Sequence, residues 1–153
     1  MPLIESIKEN VEKITGWARP SPREVDAALR RRKPDLFRFR DDGVIPNNPE
    51  LPFIVFRGAV RLVDAPDPAA LFEVLFARNG WKGSWRNGIY DYVHYHSRTH
   101  EVLGIARGEA RVRFGGSKGR VVKLRAGDVA ILPSPSIVND LAGSFAAAAA
   151  MAG

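Results

Sequence analysis

Apolar residues near the start of the chain recur at helical spacing: Ile4, Ile7, Val11, Ile14 and Trp17 fall on one helix face, with Gly16 near its end. Ser21-Pro22-Arg23-Glu24 is a capping box with proline at the first helical position. A second helix is therefore expected from Pro22 to about Arg32, with Pro34 as its stop. After Leu36 the period drops to two. Phe37 and Phe39 alternate with Arg38 and Arg40, Asp41-Asp42-Gly43 turns the chain, and Pro46-Asn47-Asn48-Pro49 reads as a rigid loop. A strand over 53–60 follows, then a helix capped by Asp67 with Pro68 first, burying Leu71, Phe72, Leu75 and Phe76 and ending at Asn79-Gly80.

Trp81 and Trp85 flank a loop that Asn87-Gly88 closes, and a strand carries Tyr90 to His96. Further strands are expected over 101–105 and 110–114, with Gly108-Glu109 as the turn between them. A pair over 121–124 and 129–132 follows across Arg125-Ala126-Gly127-Asp128. The chain ends in Leu141-Ala142-Gly143-Ser144-Phe145 and an alanine-rich tail, where no alternation supplies a closing strand.

Candidate chemistry concentrates in one stretch. All three histidines, His94, His96 and His100, lie between Gly88 and Gly108, and Glu101 directly follows the last. Alternate residues of a strand share a face, so His94 and His96 project together, and Glu101 can join them after a turn through Ser97-Arg98-Thr99. Two neutral imidazoles and a carboxylate suit zinc, iron(II), manganese, nickel or copper. The alternative is two core histidines and a buried carboxylate that hold no metal. His100 has the opposite parity to Glu101 and is expected on the outer face, hydrogen-bonded or solvated. Tyr90 and Tyr92 share the parity of His94 and His96; they either offer hydroxyls to a ligand pocket, one of them as a proton donor, or fill the interior.

The spacing is more telling than the residue types. Gly88, five residues, His94, one residue, His96, four residues, Glu101, six residues and Gly108 match the first motif of the cupin superfamily throughout. A chance match at this chain's composition has a probability on the order of 10⁻⁵. Asp41-Asp42-Gly43, Ile45-Pro46-Asn47-Asn48-Pro49, Arg57-Gly58-Ala59-Val60, Asn79-Gly80-Trp81 and Ser84-Trp85-Arg86 further resemble the YjlB-type bacterial cupins, over roughly 37–133.

The resemblance implies a mainly β fold, a double-stranded β-helix or jelly-roll barrel, here with N-terminal helices and one inserted helix. Three parts are expected: a helical segment over 1–35, the cupin domain over 36–140 and the tail over 141–153. The resemblance also implies one divalent metal, iron, manganese, zinc or nickel, on His94, His96, Glu101 and a histidine of a second motif. That motif keeps Gly127 and Pro133 but has Pro135 for a glycine and Val138 for the histidine. Agreement stops at Pro133; a shifted or truncated reading frame from about Ser134 is one reading of so abrupt a stop, and on it the barrel is expected to be incomplete at its C-terminal end. Three ligands still form the facial triad of non-haem iron or a catalytic zinc site, at reduced affinity.

Composition narrows the reading only a little. A chain of 153 residues fits a single domain. Without cysteine, neither disulfides nor a thiolate site can form. Charged residues interrupt the first positions, where a signal peptide needs an apolar run, so a cytoplasmic protein is the expectation. The net charge of +6 gathers at Arg30-Arg31-Arg32-Lys33 and among alternating cations from Arg107 to Arg125. That alternation is the pattern of a solvated strand face, and no signature of a nucleic-acid reader accompanies it, so the expectation is no nucleic acid and no membrane. The expected partners are a small molecule in the barrel and, through barrel faces and the N-terminal helices, a second copy of the chain. The expected function is a metal-binding cupin of unassigned reaction, an oxidation, isomerisation or hydrolysis if it is an enzyme; the alternative is a non-enzymatic binding or oligomerising cupin.

Overall fold

The computed structural model of the chain describes residues 19–41, 43–44, 46–87, 94–96 and 98–152, with side chains throughout except at 87, 94–96 and 136–146. The helix expected over the first residues lies outside them, as do Tyr90 and Tyr92.

Helix α1 spans Pro22–Ala28 and is opened by the expected capping box. The Ser21 backbone N–H donates to Glu24 Oε2 at 2.7 Å, and the Glu24 N–H donates to Ser21 Oγ at 3.2 Å. The first of these bonds holds the Glu24 carboxyl below its ordinary value. The helix stops short of the expected Arg32 because Leu29 is already extended and bridges Val60. Arg30 N–H donates to Ala59 O and Arg61 N–H to Ala28 O, so tertiary pairing overrides the helix propensity of the arginine run. Helix α2, Pro68–Arg78, follows the sequence expectation, with Asp67 as its N-cap. The Arg86 guanidinium binds both Glu73 and Asp67, which ties α2 to the strand carrying Arg86.

Eight strands among the described residues form one antiparallel sheet: β1 Asp35–Phe37, β2 Phe53–Phe56, β3 Lys82–Asn87, β4 His94–His96, β5 His100–Phe114, β6 Arg120–Arg125, β7 Val129–Leu132 and β8 Ser136–Ala152. Their order is β1-β2-β7-β5-β8-β3, with β4 on β8 and β6 on β5. One face buries Phe53, Val55, Leu103, Ile105, Val112, Phe114, Leu124 and Leu132, and the Phe53 ring meets Phe39 edge to face and Phe114 at a tilt. The other face buries Val102, Ala106, Ala148 and Ala150 under Phe72 and Phe76 of α2. Gly104 permits that contact, since a Cβ there would lie 2.2 Å from the Phe72 ring.

The sheet is strongly coiled. At about 3.3 Å per residue, β8 would run roughly 50 Å if straight. Its first residue, Ser136, is paired with His96 and its Ala152 with His100. The four-residue link from His96 to His100 reaches no more than about 14 Å, and each paired Cα lies about 5 Å away, so the two ends of β8 approach within roughly 25 Å. Bulges in the β5–β8 ladder after Ile105 and after Arg111 supply part of the bend. Antiparallel strands curling back on themselves with few helices are the mainly β jelly-roll architecture that the cupin resemblance implies.

Besides the early end of α1, β2 stops at Phe56 short of the expected residue 60, and three more stretches differ from the sequence reading. Gly108-Glu109 does not turn: β5 runs through it as one strand, with Gly108 at φ +72° beside a bulge. The tryptophan-flanked segment is strand β3 and not a loop, paired with β8 from Lys82 to Asn87, with half-buried Trp85 against the core. The alanine-rich tail, from which no closing strand is expected, forms the second half of β8 from 141 to 152. Ala147 and Ala149 join the inner core while Ala148 and Ala150 join the outer one. A run of a single small residue shows no contrast between faces, so its alternation is real but carries no hydrophobicity signal.

Candidate functional site

Glu101 stands second on β5, opposite Leu132 of β7 and Met151 of β8. It is two residues from Leu103 and four from Ile105, both in the inner core, so strand parity puts it on that face. It is 5 % exposed, a carboxylate taken almost wholly out of water. Strand β4 carries His94 opposite Val138 and His96 opposite Ser136, and Val138 is in turn opposite Phe114 of the inner core. Direct partners across a ladder occupy the same face of a sheet. Positions 94, 96 and 101 therefore belong to one face by register. The chain between His96 and Glu101 can span at most about 18 Å.

The side chains of His94 and His96 lie outside the described ones, and no cluster of three His, Asp or Glu side chains suited to a metal occurs among the described residues. On donor chemistry the residues present fit a borderline divalent cation, two imidazoles with one buried carboxylate. The register adds one feature: Val138, which stands where the resemblance calls for a fourth, histidine ligand, is directly opposite His94. The fold thus puts the missing ligand's position beside the first histidine.

His100 is half-buried, and its Nδ1 accepts a hydrogen bond from the Ser134 N–H at 2.8 Å. In a neutral ring so bonded, the proton sits on Nε2. This agrees with its expected parity, opposite to Glu101, and gives it the work of fixing the segment that leads into β8.

Three polar residues that sequence reasoning left as turn formers hold the ends of these strands. Asn48 Nδ2 donates to Ser134 O at 2.6 Å and its N–H to Pro135 O at 2.8 Å, while its Oδ1 accepts from the N–H groups of Glu50 and Leu51. Asn47 is 3 % exposed and donates from Nδ2 to Arg40 O and Gly115 O, covering the end of the core beside Phe39. Asp128 is 5 % exposed; its Oδ1 accepts from Gly58 N–H and its Oδ2 from Arg125 N–H, each at 2.8 Å, and Arg57 Nη1 lies 3.3 Å from Oδ2. The Pro-Asn-Asn-Pro and Arg-Ala-Gly-Asp patterns show turns in the sequence, but nothing local shows what the turns bind.

A groove of about 500 Å³ lies between α1 and the 61–67 loop, lined by Ala28, Arg61, Val63 and Leu71 among others. None of its lining residues belongs to the candidate site.

No family model matches the chain. It is 39 % identical over 103 residues to the uncharacterized protein YjlB of Bacillus subtilis (strain 168), a match covering 67 % of this chain and 59 % of that protein. The chain therefore spans less than two thirds of the relative's length. Among solved structures it is similar to a DUF861 family protein from Thermotoga maritima, with a TM-score of 0.35 and 19 % identity over 56 % of this chain and 92 % of that one. It is also similar to a 3,4-ketoisomerase from Helicobacter canadensis, with a TM-score of 0.38 and 11 % identity over 80 % of this chain and 85 % of that one.

Proposed function

We propose, for a homologue of YjlB whose antiparallel sheet coils as a jelly roll, that His94, His96 and Glu101 hold one divalent metal ion and that the protein binds or transforms a small molecule beside it. The observation that carries this reading is Glu101, buried on the inner face of β5 in the same face register as both β4 histidines. A bound ion of this kind supplies Lewis acidity toward a ligand oxygen and lowers the pKa of a coordinated water. The protein's own part is to keep water from the carboxylate and to hold the β4–β8 ladder against β5. Tyr90 or Tyr92 would serve as proton donor to the ligand.

A second reading is favoured by one feature, the valine at position 138. With an apolar residue at the fourth position, the barrel serves as a metal-free binding or structural domain. Metal analysis of protein purified without an affinity tag separates the two. The first reading expects about one equivalent of metal, lost in both His94→Ala and Glu101→Ala while the melting profile stays cooperative. A metal-free protein that stays metal-free after dialysis against zinc, iron(II) or manganese leaves the second.

A further inference from the structure

We propose that the outer face of the β5–β6 ladder is a docking surface for the phosphate backbone of nucleic acid, bound without regard to base sequence. The alternation that reads in the sequence as a plain solvated face becomes more specific once the register is known. Arg111 is directly opposite Lys123, and Glu109 opposite Arg125. Like charges set directly across a ladder work against pairing, so Arg111 beside Lys123 is a placement the fold tolerates and does not need. Arg107, Arg111, Arg113, Lys118, Lys123 and Arg125 share this region, and all but half-buried Arg113 are exposed.

Glu109 is the carboxylate of the ladder's outer face. It is taken by Lys123 at 2.7 Å, with Arg125 3.9 Å away. On the other side of β5, the register partners of Arg107, Arg111 and Arg113 are Ala146, Ala142 and Asn139, none of them acidic. Among the described residues Arg107, Arg111, Arg113 and Lys118 form no salt bridge. The face therefore keeps most of its positive charge while Ala110, Val112, Phe114, Val122 and Leu124 anchor its underside in the core.

The chemistry of the face chooses the partner. Same-face positions on a strand repeat at about 6.6 Å, so the cations form a row rather than a single pocket. A row of guanidinium and ammonium groups suits a string of phosphates, whose condensed counterions are released on contact. Membrane surfaces take basic elements that also insert apolar side chains. Among the described residues the exposed large apolar ones are Leu36, Val44, Leu51 and Val63, none of them on β5 or β6. Among the described side chains of the face there is equally no exposed aromatic ring: Phe114 is buried, and Phe37 lies under the Arg120 guanidinium at 5.5 Å. Base stacking is thus not available, and the contact is to the backbone.

The test is fluorescence anisotropy with a labelled duplex of about 20 base pairs across salt from ~50 to ~200 mM. Four to five phosphate contacts give a slope of log K against log salt of roughly −4, and a few-hundredfold loss of affinity over that range. Arg111→Gln with Arg113→Gln removes two cations from the face and makes the slope shallower by about 2. Arg111→Lys with Arg113→Lys keeps the slope and shows that the loss is one of charge and not of folding. Arg30→Gln with Arg31→Gln removes the same charge elsewhere on the exposed surface and leaves the slope unchanged. Equal loss in that control assigns the binding to net charge and overturns the proposal. So does an absence of duplex binding, or binding confined to vesicles rich in phosphatidylserine.

Discussion

Replacing Asp128 measures what a buried carboxylate does in the turn between β6 and β7. Its two oxygens accept from the backbone N–H groups of Gly58 and Arg125 at 2.8 Å each, and it also faces the Arg57 guanidinium at 3.3 Å. The Asp128 side chain is 7 % exposed and that of Arg57 is 41 % exposed. The two kinds of contact therefore differ in worth. A buried N–H left without its acceptor costs about 1–3 kcal/mol. A half-exposed ion pair contributes about 0–1 kcal/mol. Asp128→Ala strands two part-buried donors that water can partly reach, and is expected to cost ~2–4 kcal/mol, which in a domain of this size lowers the melting temperature by roughly 5–15 °C. Asp128→Asn keeps one acceptor oxygen but turns an NH₂ toward the other N–H, and falls about midway. Arg57→Ala removes the ion pairs to Asp128 and Asp35 and the hydrogen bond its Nη1 donates to Lys123 O, all half-exposed, and costs about 1 kcal/mol and at most ~2 beyond lost stem packing. Paired thermal and urea denaturation of the three variants ranks them. If Arg57→Ala matches Asp128→Ala, or if Asp128→Ala melts within ~2 °C of the parent, the argument from backbone donors held by a buried carboxylate is wrong.

Two further outcomes follow from the register and the charges. Val138→His sets an imidazole directly opposite His94 and is expected to raise metal affinity about tenfold or more, ~1.4 kcal/mol, read by competition with a chromophoric chelator on tag-free protein; unchanged affinity would show that position 138 does not face the metal ligands. The hydrogen bond from Lys123, ahead of the nearby charges of Lys123 and Arg125, holds the Glu109 carboxyl below its ordinary value. A depressed carboxyl adds stability that is present above the unfolded-state pKa and disappears as pH falls through the folded one. In Lys123→Met an NMR titration should therefore find the Glu109 midpoint moved up toward that of a free glutamate, with less stability lost on acidification, and a midpoint that stays put would remove Lys123 as the cause.

What the sequence made legible here was local. The capping box at Ser21, the Asp67 cap, and the inward parity of Leu103 and Ile105 each depend on residues within one turn or one strand, and each is found as read. What it concealed was the identity of distant partners. Asn48 belongs to a proline-bounded turn on any local reading, yet its function is to hold Ser134 and Pro135, and through that segment the bond to His100. Gly108 reads as a turn because turns and bulges both call for a positive φ; only the neighbouring strand decides between them. The alanine tail is the extreme case, because strand formation there owes nothing to side-chain propensity and everything to the backbones of β5 and β3 on either side. The candidate site divides along the same line. A motif of two histidines and a glutamate can be seen in the chain, but that Val138 comes to lie against His94 is a property of β8, built from the part of the sequence with the least pattern. Any change to the β8 register by one residue would exchange its faces and carry position 138 away from the first histidine. The ladder between β5 and β8, more than the motif itself, is therefore what decides whether the site can be completed.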